Sequence, residues 1–320
     1  MNYPNLNNAI LQEITTAEWQ HRNLSVFVKR DDLIHDEISG NKWRKLLYNV
    51  EQAKFNKNET IITFGGAFSN HLVATACASN LLGFKSIGIV RGEELNENSN
   101  DTLKRCAAYG MQLIFVTRNL YQFRYDKEWW KELHTDFPNS YIVPEGGANY
   151  YGMLGCQEIW SELPKDIDRL FVAQGTTTTS CGILLGSPTD CKVHVVPVLK
   201  GFNAKKEMQQ LFQQAFLDTE LVDDCFERLV VEDEYHFGGY GKYTQELIKY
   251  ITSKYHEFSL KIDPIYTAKA FYALESTIQK LDLVNEKIVF IHTGGIQGGR
   301  EIALKGGVEL YIRNVKVKNK

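Results

Sequence analysis

Short runs of β-branched and aromatic residues, bounded by Gly, Asn or Pro, alternate along this chain with longer stretches whose apolar residues recur every three to four positions. The short runs predict strands at Ser25–Lys29, Thr60–Phe64, Ser86–Arg91, Gln112–Val116, Tyr141–Pro144, Arg169–Gln174, Val193–Leu199, Arg228–Val231 and Lys287–His292. Helices are predicted at Lys42–Lys54, Asn70–Leu82, Asp101–Tyr109, Trp129–His134, Gly152–Leu163, Lys205–Phe216, Gly241–His256 and Thr267–Leu281. Strands that alternate with helices build doubly wound parallel sheets covered on both faces, and such sheets bind ligands at the carboxyl ends of their strands. No repeat of fixed period and no low-complexity linker divides the chain.

Composition narrows the function without naming it. With 43% hydrophobic and 23% charged residues, the chain has the make-up of a packed globular protein. Its 36 Lys and Arg against 39 Asp and Glu give a formal charge of −3, so it lacks the basic footprint of a nucleic-acid or anionic-membrane binder. The short basic end Ile312–Lys320 reads as a solvated tail. No apolar run reaches the roughly 20 residues of a membrane span. Met1–Thr15 has neither the basic region nor the apolar run of a secretion signal, so a cytoplasmic location is expected. The cysteines Cys77, Cys106, Cys156, Cys181, Cys191 and Cys225 form no CxxC pair, and read as small buried hydrophobes in a reducing compartment, with no metal site expected.

Signatures of P-loop, dinucleotide-binding, zincin and α/β-hydrolase enzymes are missing. Three other turns follow predicted strands. In Gly65-Gly66-Ala67-Phe68-Ser69-Asn70-His71, paired glycines permit a tight turn, and Ser69-Asn70 stands where a helix cap would leave N–H groups aimed at an anion; a plain capped turn is the alternative. In Gly175-Thr176-Thr177-Thr178-Thr179-Ser180, five successive hydroxyl residues suit a phosphate held by dipoles, with no lysine in the loop; a polar capped loop is the alternative. The third turn, His292-Thr293-Gly294-Gly295-Ile296-Gln297-Gly298-Gly299, implies close backbone approach to a ligand or to a helix. Lys42, Arg44 and Lys45 crowd the start of a predicted helix, where cations oppose the dipole by about 0.3–1 kcal/mol each. They form either a solvated basic surface or a site for an anion, and a desolvated lysine there could form a Schiff base.

In this order and spacing, the pieces resemble the pyridoxal-phosphate enzymes of the tryptophan-synthase-β type, specifically the 1-aminocyclopropane-1-carboxylate (ACC) deaminase and D-cysteine desulfhydrase family. The resemblance runs from about Val28 to Gly295 and is closer to the desulfhydrases. Lys29-Arg30-Asp31-Asp32 followed by Gly40-Asn41-Lys42-x-Arg44-Lys45-Leu46 is similar to the family's opening signature, which implies that Lys42 carries the cofactor. By the same resemblance Asn70 meets the pyridoxal 3′-oxygen, Ser69, Asn70 and His71 hold the substrate carboxylate, and Gly175, Thr176, Thr177, Thr178 and Thr179 form the phosphate cup. Tyr240-Gly241 resembles the family's aromatic site near the substrate, with Lys242 in place of a small residue or proline. Asp263-Pro264-Ile265-Tyr266-Thr267-x-Lys269 is close to the DPVYxGK pattern, which places Tyr266 beside the substrate and Thr267 at the pyridine nitrogen, with Thr293 also near it.

The deaminases carry Glu and Leu where this chain has Thr267 and Thr293, and the tryptophan they place near Arg91–Asn98 is absent. A carboxylate at the ring nitrogen makes a deep electron sink suited to ring opening; a hydroxyl suffices when the substrate already bears a leaving group. The resemblance therefore implies α,β-elimination, with D-cysteine giving pyruvate, sulfide and ammonia. Lys42 would take the Cα proton, and Tyr240 and Tyr266 would position or protonate the leaving group. Alternatives are ACC deamination, elimination from D-serine or 3-chloro-D-alanine, and a non-catalytic protein that holds pyridoxal phosphate or another anion. The implied architecture is two doubly wound open-sheet domains with the smaller (44–151) inserted in the larger (1–43 plus 152–320), the cofactor in the cleft, and a homodimer.

Overall fold

The computed structural model describes residues 3–215 and 217–296. Among the described residues ten strands are formed: β1 (Leu11–Ile14), β2 (Ser25–Lys29), β3 (Thr60–Gly66), β4 (Lys85–Arg91), β5 (Met111–Val116), β6 (Ser140–Val143), β7 (Arg169–Gln174), β8 (Lys192–Pro197), β9 (Leu229–Val231) and β10 (Lys287–Ile291). They make two sheets, one of six strands in the order β1-β2-β10-β7-β8-β9 and one of four in the order β5-β4-β3-β6. Every pairing is parallel except β1 with β2, where Leu11 faces Lys29. All strands of the smaller sheet fall between β2 and β7 in sequence.

The strands fold as parallel strands do, because both of their faces are covered. On β7, Phe171 and Ala173 enter a core with the helices Gln245–Phe258 and Thr267–Lys280, while Leu170 and Val172 enter another with Met153, Ile183 and Met208. On β3, Ile61 packs with Trp43, Leu46 and Val50 of the helix Asn41–Phe55, while Ile62 and Phe64 face Leu133 and Trp129.

Several elements differ from the expectation: the helix expected over Gly152–Leu163 runs Tyr150–Gln157 and continues as a 3-10 turn Glu158–Glu162, and Thr219–Glu227, capped by Asp218, is a helix not expected from the pattern. Thr178–Gly186 is a helix, where the pattern predicts no helix and reads as a phosphate-holding turn or a polar capped loop. Hydroxyl residues and glycines are weak helix formers, but this helix is buried, and a Cβ on Gly182 would stand 2.3 Å from the Met153 carbonyl oxygen. Tertiary packing therefore overrides propensity. The helix predicted from Gly241 begins at Gln245, because Thr244 accepts from Leu247 N and caps it there. Strand β1, too short to show a period, was not predicted. The tail Ile312–Lys320 and residues Gln297–Gly299 of the third glycine turn lie outside the described residues. All six cysteines are buried and free. Among the described residues no helix is long and apolar enough to cross a membrane.

Candidate active site

The carboxyl ends of β2, β3, β6, β7 and β10 lead into the segments that carry Lys42, Ser69, Glu145, Thr176 and Thr293. Helix Asn41–Phe55 starts at Gly40, whose φ of +66° is a left-handed conformation and whose Cβ, if present, would lie 1.9 Å from the Thr293 carbonyl oxygen. That oxygen accepts from Asn41 N at 3.2 Å, which locks the Lys42 turn to the end of β10.

Arg44 and Lys45 of the basic helix start are buried and Lys42 is half-buried, so they do not form a solvated basic surface. Arg44 is 1% exposed and donates to both Asp31 oxygens at 2.6 and 2.7 Å, and to Glu162 at 2.7 and 3.0 Å. Lys29 also pairs with Glu162. Lys45, equally buried, has no carboxylate within ion-pair reach among the described residues and donates to Thr176 Oγ1 at 3.0 Å. The hydroxyl-rich turn thus does meet a lysine, supplied from another element. Burial pushes Lys45 down to about 8. Burial first, and repulsion from Lys45 second, push Lys42 down to about 7. Lys42 Nζ donates to Asn41 Oδ1 at 2.5 Å, while Asn41 Nδ2 donates to Thr179 Oγ1 at 2.8 Å, so one asparagine orients both groups.

In the hydroxyl run the roles divide. Thr179 accepts from Asn41, and Ser180 donates to the Thr177 carbonyl oxygen at 2.8 Å. Thr178 Oγ1, at the first residue of its helix, is buried with no protein partner. Both amide atoms of the preceding Gln174 are likewise orphaned.

At the β3 turn, Ser69 caps the helix Asn70–Leu82 by accepting from Leu72 N at 3.3 Å, which uses a lone pair and leaves the hydroxyl proton for a ligand. His71 departs from its expected part. Thr63 donates its single hydroxyl proton to the Val143 carbonyl oxygen at 2.8 Å, so the 3.0 Å contact to His71 Nε2 requires the imidazole to donate there. Its Nδ1 is then a buried lone pair without a partner. Burial, then Lys45 and Lys42, push His71 down to about 3, so it stays neutral and has no N–H left for a carboxylate.

On the far wall, Asp263 accepts from Ile265 N and Tyr266 N at 2.8 Å, from Thr267 N at 3.0 Å and from Thr267 Oγ1 at 2.6 Å. This box starts the helix Thr267–Lys280 and commits the Thr267 hydroxyl proton to Asp263. The Tyr266 ring lies against Gly175, where a Cβ would stand 2.6 Å from it, and makes an edge contact with Tyr240 at 6.0 Å. Burial, and then Tyr240, hold the Tyr266 phenol well above its ordinary value, so it remains protonated. Gly295 faces Asn70 Nδ2 and Asp263 Oδ2, which brings the third glycine turn to the same place. Asn41, Lys45 and Asp263 lie inside the same sequence motifs and add polar groups to this site that their residue types alone do not announce.

A buried Lys45 and a half-buried Lys42 with no ion-paired carboxylate among the described residues, facing the amino end of a helix whose first hydroxyl is orphaned, call for an anionic group, and a lysine whose ammonium is lowered to about 7 beside it fits a phosphorylated aldehyde. Residues 10–294 match the model of the pyridoxal-phosphate dependent enzyme family, and the chain belongs to that family. It is a pyridoxal-phosphate-dependent lyase with a tryptophan-synthase-β-like fold. A protein of Pyrococcus abyssi, provisionally named an ACC deaminase, is 33% identical over 86% of each chain. The bifunctional D-cysteine desulfhydrase/ACC deaminase of Arabidopsis thaliana mitochondria is 32% identical over 85% of this chain and 73% of its own. Among solved structures, an ACC deaminase homologue superposes with a TM-score of 0.74 at 29% identity, covering 95% of this chain and 96% of its own.

Proposed function

We propose that the enzyme catalyses α,β-elimination from D-cysteine, giving pyruvate, sulfide and ammonia. The observation that supports this reading is Thr267, which the resemblance sets at the ring nitrogen: it is an uncharged hydroxyl, and its proton is one of four hydrogen bonds that fill the Asp263 carboxylate. When bound, pyridoxal phosphate supplies the electron sink that stabilises negative charge at Cα, and without a carboxylate at its nitrogen that sink is shallow. A substrate with a leaving group on Cβ suits it better than a cyclopropane ring.

The chain's own residues divide the work. Lys42 attaches the cofactor and, with its ammonium lowered to about 7, is ready to take the Cα proton near neutral pH. Lys45, Gly175 and Thr176 to Thr179 hold the phosphate. Ser69 and the N–H groups at the start of its helix bind the substrate carboxylate, with Asn70 at the ring oxygen and Thr293 beside Thr267. Tyr266, a protonated phenol, donates to the departing sulfur, and Tyr240 covers it. The same reading takes residues 44–151 as an inserted unit and the enzyme as a homodimer, both resting on the family resemblance. Incubation with D-cysteine, L-cysteine, D-serine and ACC tests the proposal: sulfide and pyruvate from D-cysteine are expected. Turnover of ACC alone, to 2-oxobutanoate, would overturn it in favour of deamination.

A further inference from the structure

Lys269 is a third lysine outside the chemistry described above. It is fully buried in the first turn of the helix Thr267–Lys280, and no carboxylate lies within ion-pair distance of its Nζ among the described residues. Its ammonium donates instead to two backbone carbonyls, His236 O and Gly239 O, each at 2.8 Å. A buried cation without a counter-ion is costly, and an apolar side chain would fill the same space. What it holds therefore bears on what it does.

Those carbonyls belong to the turn that presents Tyr240. Four of its five residues are left-handed: Phe237 (φ 48°), Gly238 (92°), Gly239 (110°) and Gly241 (68°). Glycines lose the most freedom on ordering, so this turn is expensive to fix. Its own hydrogen bonds are local, from Gly238 N to His236 Nδ1, from Gly239 N to His236 O and from Lys242 N to Gly239 O. They shape the turn but do not place it. Among the described residues, the hydrogen bonds that reach its backbone from elsewhere in the chain are the two from Lys269. The edge contact of Phe237 on Tyr272, with ring centres 5.1 Å apart, adds an apolar tie to the same helix. Tyr240 itself is 52% exposed and rests on Tyr266, three residues before Lys269.

We propose that Lys269 is a positioning residue that ties the Tyr240 turn to the helix carrying Tyr266 and Thr267, so that both tyrosines move as one wall of the substrate pocket. This rests on the reading of Tyr240 as a substrate-side residue. Asp263 is thereby flanked by two devices on one helix, the Thr267 cap and the Lys269 tether, and the helix start fixes both walls together.

The test is hydrogen exchange of the holoenzyme's 237–242 amides, paired with a double-mutant cycle of Lys269→Met and Tyr240→Ala. Loss of two charge-assisted bonds predicts at least a 10-fold rise in exchange, and a comparable fall in kcat/KM for the preferred amino acid, with cofactor affinity retained. In the Tyr240→Ala background the Lys269→Met loss should largely vanish. Lys269→Gln, which keeps donors without the charge, should recover part of the exchange protection and supplies the readout if the Met variant does not fold. Unchanged exchange overturns the tether, and an equal loss in both backgrounds overturns its action through Tyr240. Full activity of Tyr240→Ala alone would instead remove the substrate-side reading of Tyr240, while faster exchange in Lys269→Met still upheld the tether.

Discussion

Replacing Lys45 with methionine should move the cofactor-free and cofactor-bound proteins in opposite directions. In the folded chain burial lowers Lys45 from 10.5 to about 8, and at about 1.36 kcal/mol per pH unit this corresponds to roughly 3 kcal/mol. The folded state binds this proton less tightly than the unfolded chain, so the penalty is fully present below pH 8 and is relieved as pH rises toward 10.5. Methionine keeps the aliphatic stem and removes the charge; Thr176 Oγ1, which loses its donor, lies on an exposed residue and turns to water. The cofactor-free variant should therefore melt several degrees higher than wild type at pH 7, and the gap should narrow as pH rises from 8 toward 10.5. The bound form loses one charged hydrogen bond to phosphate, about 1.5–3 kcal/mol, or about 10- to 150-fold in affinity. Melting curves of both forms across pH and a spectrophotometric titration with pyridoxal phosphate measure the two effects. Unchanged affinity, or a lower melting temperature for the cofactor-free variant at pH 7, would refute the assignment of Lys45 as an anion-seeking lysine.

Other changes probe the remaining parts. Lys42→Ala should bind the cofactor without the yellow absorbance of a lysine Schiff base and show no turnover; persistent colour would sink its assignment. Gly40→Ala meets the Thr293 carbonyl at 1.9 Å in a left-handed conformation and should cost more than about 2 kcal/mol, with lost cofactor binding, as read by denaturant titration. Asp31→Ala strips Arg44 of two bonds and should destabilise by about 3–5 kcal/mol, and a loss below 1 kcal/mol would mean that Glu162 alone satisfies the guanidinium. Thr267→Glu with Thr293→Leu should introduce 2-oxobutanoate formation from ACC, at a cost in stability from a second carboxylate beside Asp263; no gain of ring opening counts against the electron-sink argument.

The strands were legible wherever a parallel sheet writes itself as an apolar run. Ser25–Lys29 and Arg169–Gln174 form with the predicted bounds, and Asn70–Leu82 does so because Ser69 caps it and Gly83, at φ 79°, ends it. Helix Thr178–Gly186 was not legible, since its sequence favours a loop and only burial against its neighbours makes it helical. Motif order groups Lys42, Ser69, Tyr240, Tyr266 and Thr267 as a proposed site, but it gives Lys45 and Asp263 no role there and does not show that His71 turns its only N–H to Thr63.

The sequence by itself determined the class of fold and the chemistry available, because periodicity, turn residues and the lysine motif are local properties of the chain. The tertiary structure alone decided which cations are buried and what each one faces. Arg44 and Lys45 are neighbours on one helix, yet one meets two carboxylates and the other a threonine hydroxyl supplied from another strand's end. Burial and long-range partners set a group's charge, and neither is a property of the residues beside it in sequence.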